Sequence, residues 1–119
     1  MNEHDPQNFE EQERSTADDA AKERLARERD KSDLCWVMGT KQGRRFMWRF
    51  LSRAGLFTSS FNTNNAVMAF NEGNRNAGLQ QLTDIMAACP EKYTLMMHES
   101  REEKEKNEHR AADRRNKRK

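Results

Sequence analysis

The stretch GRRFMWRFLSRAGLF, residues 43–57, sets four arginines among three phenylalanines and a tryptophan. Such a mixture belongs either to a nucleic-acid surface or to an amphipathic helix whose rings fill a small core. Spacing separates the two kinds of side chain. Phe46, Met47, Phe50, Leu51 and Ala54 fall at i, i+1, i+4, i+5 and i+8, one face of a 3.6-residue period. Lys41, Arg45, Arg49 and Arg53 repeat every four residues as a cationic stripe displaced from that face, with Arg44 and Trp48 between the two. Thr40 can cap the start of this helix and Gly55 can stop it. The spacing predicts a helix with its rings inward and its guanidiniums outward.

Away from this stretch the composition changes. Hydrophobic residues make up 34% of the 119, low for a globular chain, so a core occupies only part of it. Residues 35–98 hold 30 apolar side chains, against 8 in residues 1–34 and 2 in residues 99–119. The chain therefore divides into an acidic, charged helical arm (1–33), an aromatic-rich helical core (34–99) and a basic helical tail (100–119). A core of that size is near the lower limit for independent folding, because a small body buries too little surface to offset chain entropy comfortably. Support from a partner or from self-association fits. The formal charge of +2 hides a gradient, with 11 acids to 6 bases in residues 1–34, 3 to 7 in residues 35–98 and 6 to 9 in residues 99–119. Such arms can touch different partners or simply keep the protein in solution.

The arm reads EEQERSTADDAAKERLARERDKSDL without Gly or Pro, and pairs Glu10/Arg14, Asp18/Lys22 and Glu23/Arg27 at i,i+4. A helix is expected from about Glu10 to Asp30, solvent-exposed or completed by a partner, since Ala17, Ala20, Ala21 and Leu25 are too few to drive packing. Leu34 to Met38 reads as a short apolar turn ending at Gly39. After Gly55, Leu56, Phe57 and Phe61 are expected to fold back on the core, and a residue among Asn62–Asn64 to cap the next helix. On that helix Ala66, Phe70, Gly73 and Ala77 share a face, continued by Leu82, Ile85, Met86 and Cys89. Two interior glycines each cost about 1 kcal/mol relative to Ala, which predicts a kink or break near Gly73–Asn76 unless close helix approach compensates. Pro90 and Glu91 suit the first turn of a final helix with Tyr93, Met96 and Met97 inward. The fold class is all-α: a three-helix unit with long charged extensions, helical or disordered, at both ends.

Catalytic chemistry finds no foothold. His4, His98 and His109 have no metal-site spacing, TSSFNT reads as loop and caps, and Gly39 and Gly43 do not make a P-loop. No enzyme activity, cofactor or metal is expected. Cys35 and Cys89 lack a CxxC partner, and no signal segment or 18-residue apolar run appears, so a reduced, intracellular, non-membrane protein is expected. A Cys35–Cys89 bridge is open by count, but two small buried hydrophobes are the plainer reading. The methionines at 38, 47, 68, 86, 96 and 97 read as core packing rather than an adaptable docking surface.

The order D-x-C-W-V-M-G-T, G-R-R-F-M-W-R-F-L, G-L-F-T-S-S-F, A-F-N-E-G-N-R-N-A-G-L-Q-Q-L-T-D-I-M and P-E-K-Y-T-L-M resembles a family of small tailed-bacteriophage proteins described from a Bordetella podophage. The resemblance covers roughly Asp33 to Glu99. It implies a gene among head, portal and scaffold genes, hence a component of the virion or of its assembly, without catalytic residues. The expected contacts to DNA or to an acidic partner are Lys41, Arg44, Arg45, Arg49, Arg53 and, in the tail, Arg114, Arg115, Lys117 and Arg118. Arg44 and Arg75 have another option, tying helices together through Glu72 or Asp84, and the stripe can equally be a solvated face. Trp36, Trp48, Phe57 and Phe61 are the expected protein-docking residues. The expected partners are phage structural proteins, portal, internal or tail, in a multimeric setting, with double-stranded DNA the other option. A DNA-binding regulator or a head-assembly chaperone outside the virion is the rival function.

Overall fold

The computed structural model describes residues 6–118; His4 lies outside the described residues. Among these residues there are four helices and no strand: α1 (Pro6–Met38), α2 (Lys41–Arg53), α3 (Asn65–Ala88) and α4 (Pro90–Lys117). The chain divides into two units between Asp33 and Leu34. In the first, every side chain from Gln7 to Asp33 is exposed. Of the three spaced ion pairs, Glu10–Arg14 closes at 4.0 Å with both partners exposed, a contribution of about 0.3–0.5 kcal/mol. Leu34 to Met38 is not a separate turn. It continues α1, because nothing before Gly39 opposes the helix.

In the second unit, α2, α3 and α4 pack pairwise. The core is Met38, Met47, Leu51, Ile85, Cys89 and Met96, flanked by Leu34, Cys35, Trp48, Leu56, Ala88 and Tyr93. Helix α2 starts at Thr40, whose Oγ1 accepts from the Gly43 N–H at 3.0 Å. It ends in a Schellman arrangement in which Leu56 N–H donates to Leu51 C=O and Gly55 N–H to Ser52 C=O. Gly55 sits at φ 80°, the left-handed conformation this closure needs. Asn64 caps α3 by accepting from the Ala66 and Val67 N–H groups. Cys89 joins α3 to α4 alone, and Pro90 opens α4, which runs unbroken from core into tail.

The rings are not the core. Phe46 is 57% exposed, Phe50 42%, Phe61 75% and Phe70 69%, and Phe57 is exposed as well. The inward face of α2 carries Arg44, Met47, Leu51 and half-buried Trp48 and Ala54, rotated by about 60° from the face the aromatic spacing suggested. On α3 the correction is larger. Ala66, Phe70, Gly73 and Ala77 all face solvent, while Asn71, Arg75, Gly78, Leu82, Ile85 and Cys89 turn inward. Helix α3 is also continuous rather than broken at Gly73–Asn76. Gly78 supplies the close approach, since a Cβ there would meet the Ala54 Cβ at 3.0 Å, whereas Gly73 has nothing within 4 Å. Gly73→Ala is therefore expected to stabilise the protein by about 0.5–1 kcal/mol, through helix propensity alone. Thermal denaturation checks the sign.

Candidate docking surface

Arg44 decides what α2 offers to a partner. Its guanidinium Nε donates to Glu99 Oε1 on α4 at 2.6 Å and Nη1 donates to the Met38 carbonyl at the end of α1 at 2.9 Å. Only 8% of the residue is exposed. Glu99 is its partner, not Glu72 or Asp84, and Glu72 instead accepts from the Ser60 hydroxyl of the preceding loop. Arg44 therefore leaves the set of expected contact residues. It is a strut joining the end of α1, α2 and α4.

The other cations of α2 are outside. Lys41, Arg45, Arg49 and Arg53 are exposed, and α2 contains no acid along its 13 residues. The Arg49 guanidinium lies 5.6 Å over the Phe46 ring, a cation–π contact that leaves the guanidinium edge free to donate to an acceptor. Arg53, in the last turn, also offsets the negative end of the helix dipole. In the tail, Arg114, Arg115 and Lys117 occupy the last turn of α4 with Arg118 as its cap residue. This end is helical and exposed.

The expected docking residues separate into two kinds. Trp36 is 77% exposed and Phe61 stands equally open. Trp48 and Phe57 are stacked on each other with centroids 4.7 Å apart, so they hold the loop after Gly55 against α2 before they hold anything else. Sequence reasoning missed Phe46, Phe50 and Phe70, which it assigned to the core, and Val67, exposed on α3. A local signal was present for Phe46: Arg49 follows it at i+3, the spacing at which a guanidinium reaches a ring on an exposed face.

A groove of about 730 Å³ runs between α2 and α4. Its lining includes buried or half-buried Trp48, Met96 and Met97 and exposed Lys41, Arg45 and Lys104. Methionine side chains adapt their shape to an occupant, and Glu103 and Glu108 stand among the cations, so the charge of the lining is mixed.

The sequence pattern that defines the family described as Bbp19-like phage protein matches residues 34–98. The chain belongs to this family. No curated protein and no solved structure matches it. The Bbp19-like region begins at Leu34, where the second structural unit begins. It contains all six core residues, the α2 cations and the exposed rings from Trp36 to Phe70, and it stops one residue short of Glu99, the partner of Arg44. The basic end of α4 lies beyond the Bbp19-like match. No helix among the described residues is long and apolar enough to cross a membrane.

Proposed function

We propose that this Bbp19-like chain is a non-enzymatic structural protein of the phage particle, associated with the portal or carried as an internal, ejected component, and that it works by docking. The observation that carries this reading is the run of exposed rings, Trp36, Phe46, Phe50, Phe57, Phe61 and Phe70, on a unit whose own core needs only six residues. Folding by itself gives no reason to leave so many rings in water, and aromatic side chains are the kind that anchor protein interfaces. Interleaved arginines suit an interface core, where Arg and aromatic residues supply most of the binding energy. The occupants are other phage structural proteins, in a multimeric setting. Arg45, Arg49 and Arg53 contact an acidic protein surface, and the basic end of α4 reaches a neighbouring subunit or double-stranded DNA.

Mass spectrometry of purified mature particles and of proheads tests the reading, which expects the protein in one or both. A variant with Phe46→Ser, Phe50→Ser and Phe70→Ser should fold, because those rings are outside the core, yet enter particles about tenfold less or worse. Absence of the wild-type protein from both kinds of particle overturns the proposal. A second reading, a DNA-binding regulator or head-assembly chaperone outside the virion, draws on the acid-free α2 stripe. Its signature is a protein missing from particles whose duplex binding weakens, with a flatter salt dependence, when Arg45, Arg49 and Arg53 become Gln.

A further inference from the structure

Cys35 and Cys89 are far apart in the chain but neighbours in the fold. Cys35 lies in the last turns of α1 and Cys89 is the joint between α3 and α4. Both belong to the same packed core, both are free thiols, and the Cys35 thiol donates to the Ala88 carbonyl at 3.7 Å, beside Cys89. We propose that these two thiols form a reversible intramolecular disulfide that staples the end of α1 to the α3–α4 joint, using a low-molecular-weight disulfide as oxidant.

The chemistry balances as two successive exchanges. The half-buried Cys35 thiolate attacks a sulfur of oxidised glutathione, forming a mixed disulfide and releasing one glutathione thiolate. The Cys89 thiolate then attacks the Cys35 sulfur, closing the protein bridge and releasing the second glutathione. Two protein thiols are oxidised, one glutathione disulfide is reduced, and the two protons end on the departing thiols or in solvent. The second step is the slow one. Burial foremost, then the neighbouring Cys35 and Glu91, push the Cys89 thiol up to about 11, with Lys92 opposing. The thiolate is therefore scarce at neutral pH, and bridging should run faster at pH 9 than at pH 7. A glutathione-reduced compartment keeps the pair open, and an oxidising one closes it. This inference stands apart from the docking proposal.

The test treats the folded, full-length protein with oxidised glutathione at pH 8.5 and reads intact mass, free thiols and thermal stability. The expected product is a monomer that has lost two hydrogens and both free thiols, and whose melting temperature has risen by about 10 °C or more. Cys89→Ser should stop at a stable glutathione adduct on Cys35. Cys35→Ser should resist modification, because Cys89 is buried. Where Cys89→Ser fails to fold, Cys89→Ala serves the same purpose. A wild-type protein that accumulates the mixed disulfide without closing it, that cross-links between chains, or that bridges only when unfolded overturns the proposal.

Discussion

Arg44→Ala is expected to destabilise the unit that begins at Leu34 by about 3–5 kcal/mol, the cost of stranding one partner of a largely buried ion pair. The arginine and glutamate side chains are only 9% and 15% exposed, so water replaces only part of what is lost. Glu99 would be left without its partner, and the Met38 carbonyl at the end of α1 would lose the donor that satisfies it. A small domain has about 5–15 kcal/mol in total, and one this size sits low in that range. The variant should therefore be partly unfolded near body temperature. Urea denaturation followed by the fluorescence of Trp48, which packs on the core, measures the loss. Arg44→Met combined with Glu99→Leu should recover most of it, since removing both charges leaves nothing stranded. If Arg44→Ala stays within about 1 kcal/mol of wild type, the pair behaves as a surface pair and Arg44 returns to the contact set.

Gly43→Ala should be nearly as damaging. A Cβ there would overlap the Val37 carbonyl oxygen and carbon, and would lie 2.9 Å from Thr40 Oγ1. The obstruction is backbone, which cannot swing away as a long side chain can. Opening the corner between α1 and α2 would break the Thr40 cap and move Arg44 off the Met38 carbonyl. The expected cost is about 3 kcal/mol or more, at or above the upper end for overpacking. Gly73→Ala is the matched control, with the same substitution on an open helix face and the opposite sign. Equal melting temperatures for the two variants would mean that the α1–α2 corner is looser than this geometry.

The two helices that the sequence misread went wrong for different reasons. On α2 the apolar spacing of Phe46, Met47, Phe50, Leu51 and Ala54 describes a face correctly, but the packed face is turned towards Arg44. A guanidinium can sit inside because Glu99, 55 positions away, meets it there. On α3, Phe70 drew the eye to the stripe Ala66–Phe70–Gly73–Ala77, while the packed stripe runs through Asn71, Arg75 and Gly78 and contains little that is apolar in its first half. Gly78 turns inward because its missing side chain lets α3 approach Ala54. A hydrophobic period cannot register a contact made by the absence of a side chain. The exposure of Phe46, Phe50 and Phe70 was hidden by the same error, since rings assigned to a core are not sought on a surface.

What the sequence by itself determined was the all-α class and the caps and stops of the helices that follow Gly39. Thr40, Gly55, Asn64 and Pro90 act on residues a few positions along the chain, and that chemistry is local. The concentration of apolar residues between positions 35 and 98 was legible in the same way, because apolar content is a property of a segment. Which face of each helix turned inward, which arginine became a strut, which rings were left to solvent and that Cys35 met Cys89 were decided only by the tertiary structure. Each of those outcomes depends on a group brought from a distant part of the chain, and the free energy of burying a side chain is set by what waits for it inside.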